Sequence, residues 1–213
     1  DLHLSIRRQR QMCIRDRISL VLFTLGHMLG NLQVFLGAEA FNNYAHSLQS
    51  LGPLLWVARI GLLVMATLHI VSAVQLTVRA RAARPQQYTK RESQISTLAS
   101  RTMRIGGIIL AAFIIFHIQH FTIGNLHPAF AKGQAYGNVV IGFESKVVAV
   151  FYIVAMSFLG LHLFHGVWAG VRTLGLAKPT PMPMERTLAL GVAILVWAGF
   201  IAVPLGVLLG LVN

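Results

Sequence analysis

Charge is what this chain has least of. Of 213 residues only 11% are Asp, Glu, Lys or Arg, and the acidic share is 6 residues against 18 basic ones. A water-soluble domain carries about 25% charged residues, so this chain lacks the means to cover a surface for water. Cysteine is nearly missing: the lone Cys13 excludes an internal disulfide framework and any CxxC metal or redox motif. No internal repeat stands out. What is abundant is apolar, with 55% hydrophobic residues and a mean hydropathy of +0.67. These residues come in blocks long enough to cross a bilayer, which takes about 20 of them. The composition implies an all-α integral membrane protein with lipid as its solvent.

Five apolar segments run over residues 18–36, 54–78, 103–123, 147–171 and 188–212. The first is not a cleaved leader, because four more spans follow it. The net charge of +12 would suggest nucleic acid in a soluble protein. Here the basic residues gather between spans instead, which is an orientation signal and implies no nucleic acid. Arg79, Arg81, Arg84, Lys90, Arg91 and Arg101 stand between the second and third spans against Glu92 alone, and Arg172, Lys178 and Arg186 between the fourth and fifth against Glu185. The other two connections are poor in cations: 37–53 has Glu39 and no Lys or Arg, and 124–146 has Lys132, Lys146 and Glu144. The positive-inside rule then puts the amino terminus inside and the carboxyl terminus outside. Pro179, Pro181 and Pro183 predict a stiff, extended connection before the last span. Residues 1–17 have no apolar period and break off abruptly at Ile18; they resemble translated adapter read-through. They are read as a non-native or disordered segment in place of the true amino terminus and are set aside. Residues 18–213 form the membrane domain.

Histidine is the informative residue. His27, His69, His117, His120, His162 and His165 lie inside or at the ends of the first four spans, and the fifth has none. Ionisable groups in a membrane span cost free energy and mark function. Inward histidines on four helices are how a bundle holds a cofactor in its core. Depth sorts them. At 1.5 Å per residue, His27 lies roughly 15 Å and His117 roughly 10 Å from the outer ends of their spans, while His69 and His162 each lie roughly 22 Å down. Two levels result, each able to clamp one planar macrocycle from opposite faces. Iron held that way has no open position and carries electrons rather than substrate. Zinc fits less well, since no helix-borne carboxylate or thiolate accompanies the histidines. Gly26, Gly30, Gly106, Gly107, Gly160, Gly166 and Gly170 stand near these residues and leave room for a macrocycle, although small residues also simply pack helices closely. His117 and His120, like His162 and His165, are three apart on nearly one face, so spacing alone leaves the ligand within each pair open.

The motifs, in order, resemble a known family. Gly26-His27-Met28-Leu29-Gly30-Asn31, Gly37-Ala38-Glu39-Ala40-Phe41-Asn42, Ala45-His46 and Ser50-Leu51-Gly52-Pro53-Leu54 open the pattern. Leu68-His69-Ile70, Phe116-His117, Phe151-Tyr152-Ile153-Val154 and Leu161-His162-Leu163-Phe164-His165-Gly166-Val167-Trp168 continue it. Over residues 18–212 the chain resembles the single-polypeptide, diheme cytochrome b anchor of succinate dehydrogenase and fumarate reductase. The resemblance implies two b-type haems with axial ligands His27, His69, His117 and His162, leaving His120 and His165 spare. It implies a flavoprotein and an iron–sulfur subunit docked on the cytoplasmic face of a prokaryotic inner membrane, with membrane quinone as substrate. One departure is that the family's residues before the first helix, which help seat the inner haem, are here replaced by the doubtful opening segment.

Two further sets of residues are expected to serve such a site. Arg101 and Arg172, at the inner ends of the third and fourth helices, stand near the level of His69 and His162 and are candidate propionate partners; snorkelling to lipid headgroups is the other reading. Glu39, His46 and Arg59 converge by sequence near the outer level and are the candidate quinone site, because quinone chemistry needs a titratable group beside the ring. Two competing functions remain. A hydrogenase or formate dehydrogenase cytochrome b also bears histidines on a bundle, although the pattern of residues 38–46 argues against it. A haem-free transporter with a histidine proton relay would show broken helices at matched positions in two halves, and this chain lacks that signal.

Overall fold

The computed structural model describes residues 18–83, 98–176 and 184–213. Among the described residues, five helices are long and apolar enough to cross a membrane: α1 (Ile18–Leu36), α3 (Pro53–Ala82), α4 (Leu98–Ile123), α6 (Lys146–Thr173) and α7 (Met184–Leu208). Two shorter helices, α2 (Ala38–Ser50) and α5 (Ala135–Glu144), fill connections that the sequence marks only as poor in cations. The prolines of the last connection, the opening segment with Cys13, and Arg84, Lys90, Arg91, Glu92 and Lys178 lie outside the described residues.

The chain runs up and down. α2 joins the end of α1 to the start of α3, α5 joins the end of α4 to the start of α6, and the two pack on each other at one end of the molecule. The backbone N–H of Tyr136 donates to Asn42 Oδ1 at 2.9 Å, and the Tyr136 hydroxyl donates to the Asn213 carbonyl at 3.1 Å. This cap thus gathers both short helices and the chain's last residue. Arg79, Arg81, Arg101, Arg104, Arg172 and Arg186 stand at helix ends away from it.

The helices run beyond their apolar stretches because polar residues at a membrane surface need not interrupt backbone hydrogen bonding. α3 carries Arg79 and Arg81 in its last turn, and α4 takes in Arg101. The last span differs most from expectation, starting at Met184 and stopping at Leu208 rather than running from 188 to 212. Gly210 at φ +71 ends it: the Leu211 N–H turns back to the Gly206 carbonyl at 2.8 Å. That left-handed glycine closes a helix by satisfying its last carbonyls.

Close packing belongs to α4, α6, α7 and α1. α6 lies along α7 on one side and α4 on the other. One core joins Val34, Phe113, Phe143, Tyr152, Met156 and Val203 toward the cap; a second joins Met28, Leu163, Ala193 and Val196. Glycine sets the spacing. A side chain at Gly199 would run into Met28, one at Gly206 into Phe35, and one at Gly160 would lie 3.3 Å from Trp197. Lipid supplies no hydrophobic drive between helices, so such close approach is what holds them. α3 is the exception: it has no buried residue.

Candidate functional site

The histidines come together in two pairs. The ring centroids of His27 on α1 and His117 on α4 are 5.8 Å apart, and those of His69 on α3 and His162 on α6 are 6.0 Å apart. All four residues are half-buried. The rings are inclined at 75° and 70°, so neither pair is a face-to-face stack. Two imidazoles binding one metal from opposite sides, each through a bond of about 2 Å, have centroids roughly 6 Å apart. Among the described residues no three His, Cys, Asp or Glu side chains gather to hold a bare ion. The donor set is two nitrogens per position, which suits a metal whose other four bonds come from a macrocycle.

Open space lies near the pairs, as such a group requires. The glycines near the histidines divide into two kinds. Gly30, Gly106 and Gly160 are helix contacts, facing Tyr44, Phe158 and Trp197. At Gly26, Gly107, Gly166 and Gly170 an added Cβ would meet nothing within 4 Å. Gly166 lies one turn from His162 on the same face of α6. α3 approaches through His69 while burying no side chain of its own.

Aromatic rings line the His27–His117 pair. Phe23 stacks on His27 at 5.4 Å, Phe113 on His117 at 5.7 Å, and Phe200 lies 5.8 Å from His27. Phe200 is on α7, so the helix without histidine still contributes to the site.

Sequence reasoning assigned no role to Tyr152, His127 or Asn138. The Tyr152 hydroxyl lies 3.3 Å from His117 Nδ1 and 3.0 Å from His120 Nδ1. His120 is buried at 1% exposure, and its Nε2 has no hydrogen-bond partner among the described residues. His127 Nε2 donates to the Asn138 carbonyl at 2.8 Å, while its Nδ1 accepts from the Ala129 N–H at 3.1 Å. Asn138 ties the same loop through paired bonds with the backbone of Ala131, both 2.9 Å. A hydroxyl inside an apolar span was the available signal for Tyr152, because a buried tyrosine hydroxyl takes a partner. The widened turn over Ile118–Ile123 had no such signal; there the Gly124 N–H reaches back to Gln119 at 3.0 Å. Wide turns of this kind cluster at functional sites.

The remaining expected residues do not form a cluster. Glu39 and His46 are exposed on α2, two turns apart, and no hydrogen bond or ion pair links them to each other or to Arg59 among the described residues. The Arg59 guanidinium lies 5.1 Å from the Trp56 ring. Arg101 and Arg172 are exposed at their helix ends, Arg172 with its guanidinium 5.9 Å from the Trp168 ring. His165 lies one turn from His162 on α6 and is half-buried.

Fold and site together define a multi-pass membrane protein with paired histidines between its helices. Compared with known proteins, the chain is a distant, near-full-length homologue of the succinate dehydrogenase cytochrome b558 subunit of Bacillus subtilis (strain 168). The two are 25% identical over 177 residues, which is 83% of this chain and 82% of the relative. No family model matches the chain, and no solved structure matches it.

Proposed function

We propose that this chain is the membrane cytochrome b subunit of a succinate:quinone oxidoreductase of the succinate dehydrogenase/fumarate reductase type. In this reading it anchors the flavoprotein and iron–sulfur subunits on the cytoplasmic face and links them to membrane quinone. The observation that carries it is the separation of the two histidine pairs, 5.8 and 6.0 Å, on four different helices. The relative's name supports the succinate dehydrogenase assignment over a hydrogenase or formate dehydrogenase cytochrome.

His27 and His117 would hold one b haem and His69 and His162 the other. Bound haem with both axial positions filled supplies one-electron transfer. The chain's own residues do the rest. Phe23, Phe113 and Phe200 exclude water from the outer position. Gly166 keeps the inner position open. Arg101 and Arg172 are proposed to pair with propionates, and Glu39, His46 and Arg59 to serve quinone on the cap side. That side is proposed to face outward, since the arginine-rich helix ends lie opposite it.

The test is a reduced-minus-oxidised spectrum of the purified protein with its four single His→Ala variants. Two b-type species are expected. His27→Ala and His117→Ala should remove one and His69→Ala and His162→Ala the other. A protein without haem absorbance would favour the transporter reading, and His27→Ala and His69→Ala losing the same species would overturn the pairing.

A further inference from the structure

We infer that Tyr152 is a positioning residue that fixes the tautomers of His117 and His120, presenting His117 Nε2 to the metal position opposite His27 and withholding His120 from it. The inference rests on the reading of His117 as an axial ligand and adds what selects it over its neighbour one turn away.

A tyrosine hydroxyl has one proton to donate and a lone pair to accept with. Both histidines meet it through Nδ1, at 3.3 and 3.0 Å. A neutral imidazole carries its proton on one nitrogen only, so the hydroxyl donates to one ring and accepts from the other. Either ring could be the one that keeps Nδ1–H and leaves Nε2 free for a metal.

The surroundings decide which. His120 is 1% exposed, with Phe121 at 4.2 Å, His127 at 5.1 Å and Phe116 at 5.3 Å between ring centroids. A Cβ at Gly142 would also lie only 3.1 Å from His120 Cε1. No macrocycle fits against that ring. His117 is half-buried and faces His27. The order is therefore His117 Nδ1–H donating to the Tyr152 oxygen, and the Tyr152 hydroxyl donating to His120 Nδ1. His127 does not enter the chain, since both of its nitrogens are already engaged by backbone. A hydrogen bond accepted from the far nitrogen of a ligating histidine holds the ring in place and makes it a stronger electron donor.

Tyr152→Phe keeps the ring and removes the hydroxyl. Both haems should remain, and the midpoint potential of the His27–His117 haem should rise, because a less electron-rich ligand favours the ferric state less. The other haem should keep its potential, which a general loosening of the fold would not spare. His120→Ala should also keep both haems and raise the same potential by a smaller amount, since a hydroxyl that donates is a better acceptor. Redox titrations of the purified protein, with the outer haem assigned as the species absent from His27→Ala, read these shifts. Unchanged potentials in Tyr152→Phe overturn the inference, as does loss of a haem in His120→Ala. If Tyr152→Phe does not assemble, an unshifted potential in His120→Ala overturns it equally. His117→Ala separates the two levels: both haems surviving there would sink the ligand reading itself, whereas one haem lost there with no shift in Tyr152→Phe would sink only the role of Tyr152.

Discussion

Gly166 offers the most direct test of whether the space beside His162 is a cofactor position. It lies four residues beyond the histidine, about 6 Å along the same face of α6. A Cβ added there meets no atom within 4 Å. For the polypeptide alone, the Cβ of a Gly166→Leu side chain therefore meets no clash, and leucine gains about 0.8 kcal/mol in helix propensity over glycine. If a macrocycle occupies that space, the same side chain is forced against it. Overpacking costs about 1–3 kcal/mol, which corresponds to roughly 5- to 150-fold weaker haem retention at that position. Gly191 on α7 is the control: a Cβ there also meets nothing within 4 Å, and its helix carries no histidine.

The assay is haem per chain in the purified variants, followed by the rate of haem loss to an excess of an apo haem-binding protein. Gly166→Leu should lose the species that also disappears in His69→Ala, keep the other, and fold as well as the wild type. Gly191→Leu should keep both. Wild-type retention of two haems in Gly166→Leu would refute the reasoning, because the open space would then face lipid. Equal losses in the two glycine variants would refute it as well, by pointing to helix packing in general.

Four further outcomes are expected. His165→Ala should retain both haems, read from the same difference spectrum. Asn138→Ala removes two side-chain bonds to Ala131 and should destabilise the cap by about 2 kcal/mol, seen as faster proteolysis within residues 124–134 at unchanged haem content. Gly199→Val would crowd Met28 and should cost about 1–3 kcal/mol, measured as a lower Tm of the detergent-solubilised protein. Glu39→Gln, His46→Ala and Arg59→Ala should keep both haems while at least one slows electron transfer to quinone, with dye-linked succinate oxidation as control; normal quinone activity in all three would move the site elsewhere.

The fold's outline was legible because lipid imposes a simple demand. A span of about 20 apolar residues is nearly sufficient for a helix there, and each of the five segments read from the sequence falls on a helix, the last only as far as Leu208. Their ends were less legible, since hydropathy marks where lipid stops and not where hydrogen bonding stops. Arg79, Arg81 and Arg101 are helical although no apolar pattern includes them. α2 and α5 were missed for a related reason. Each is short and lies between spans, and each is held by contacts between distant residues, such as the Tyr136–Asn42 bond across 94 positions, which no local pattern records.

The candidate site divides along the same line. The four histidines were legible one by one because a titratable group in a span is costly enough to be noticed alone. Their grouping into levels needed only a rise per residue, and a rise per residue is nearly constant. What depth does not contain is direction around the helix axis. The difference between His117 and His120 is of that kind: three residues separate them, yet one ring faces His27 and the other is enclosed by Phe116, Phe121 and His127. That difference is set by partners on other elements, by Tyr152 on α6 and by Gly142, whose missing side chain admits the His120 ring. The arginines and the residues of α2 stand at the opposite extreme. Snorkelling, cation–π contact and solvation each satisfy an exposed charge at a helix end, so its position alone selects no partner, and the assays on Glu39, His46 and Arg59 must supply what neither hydropathy nor helix geometry can.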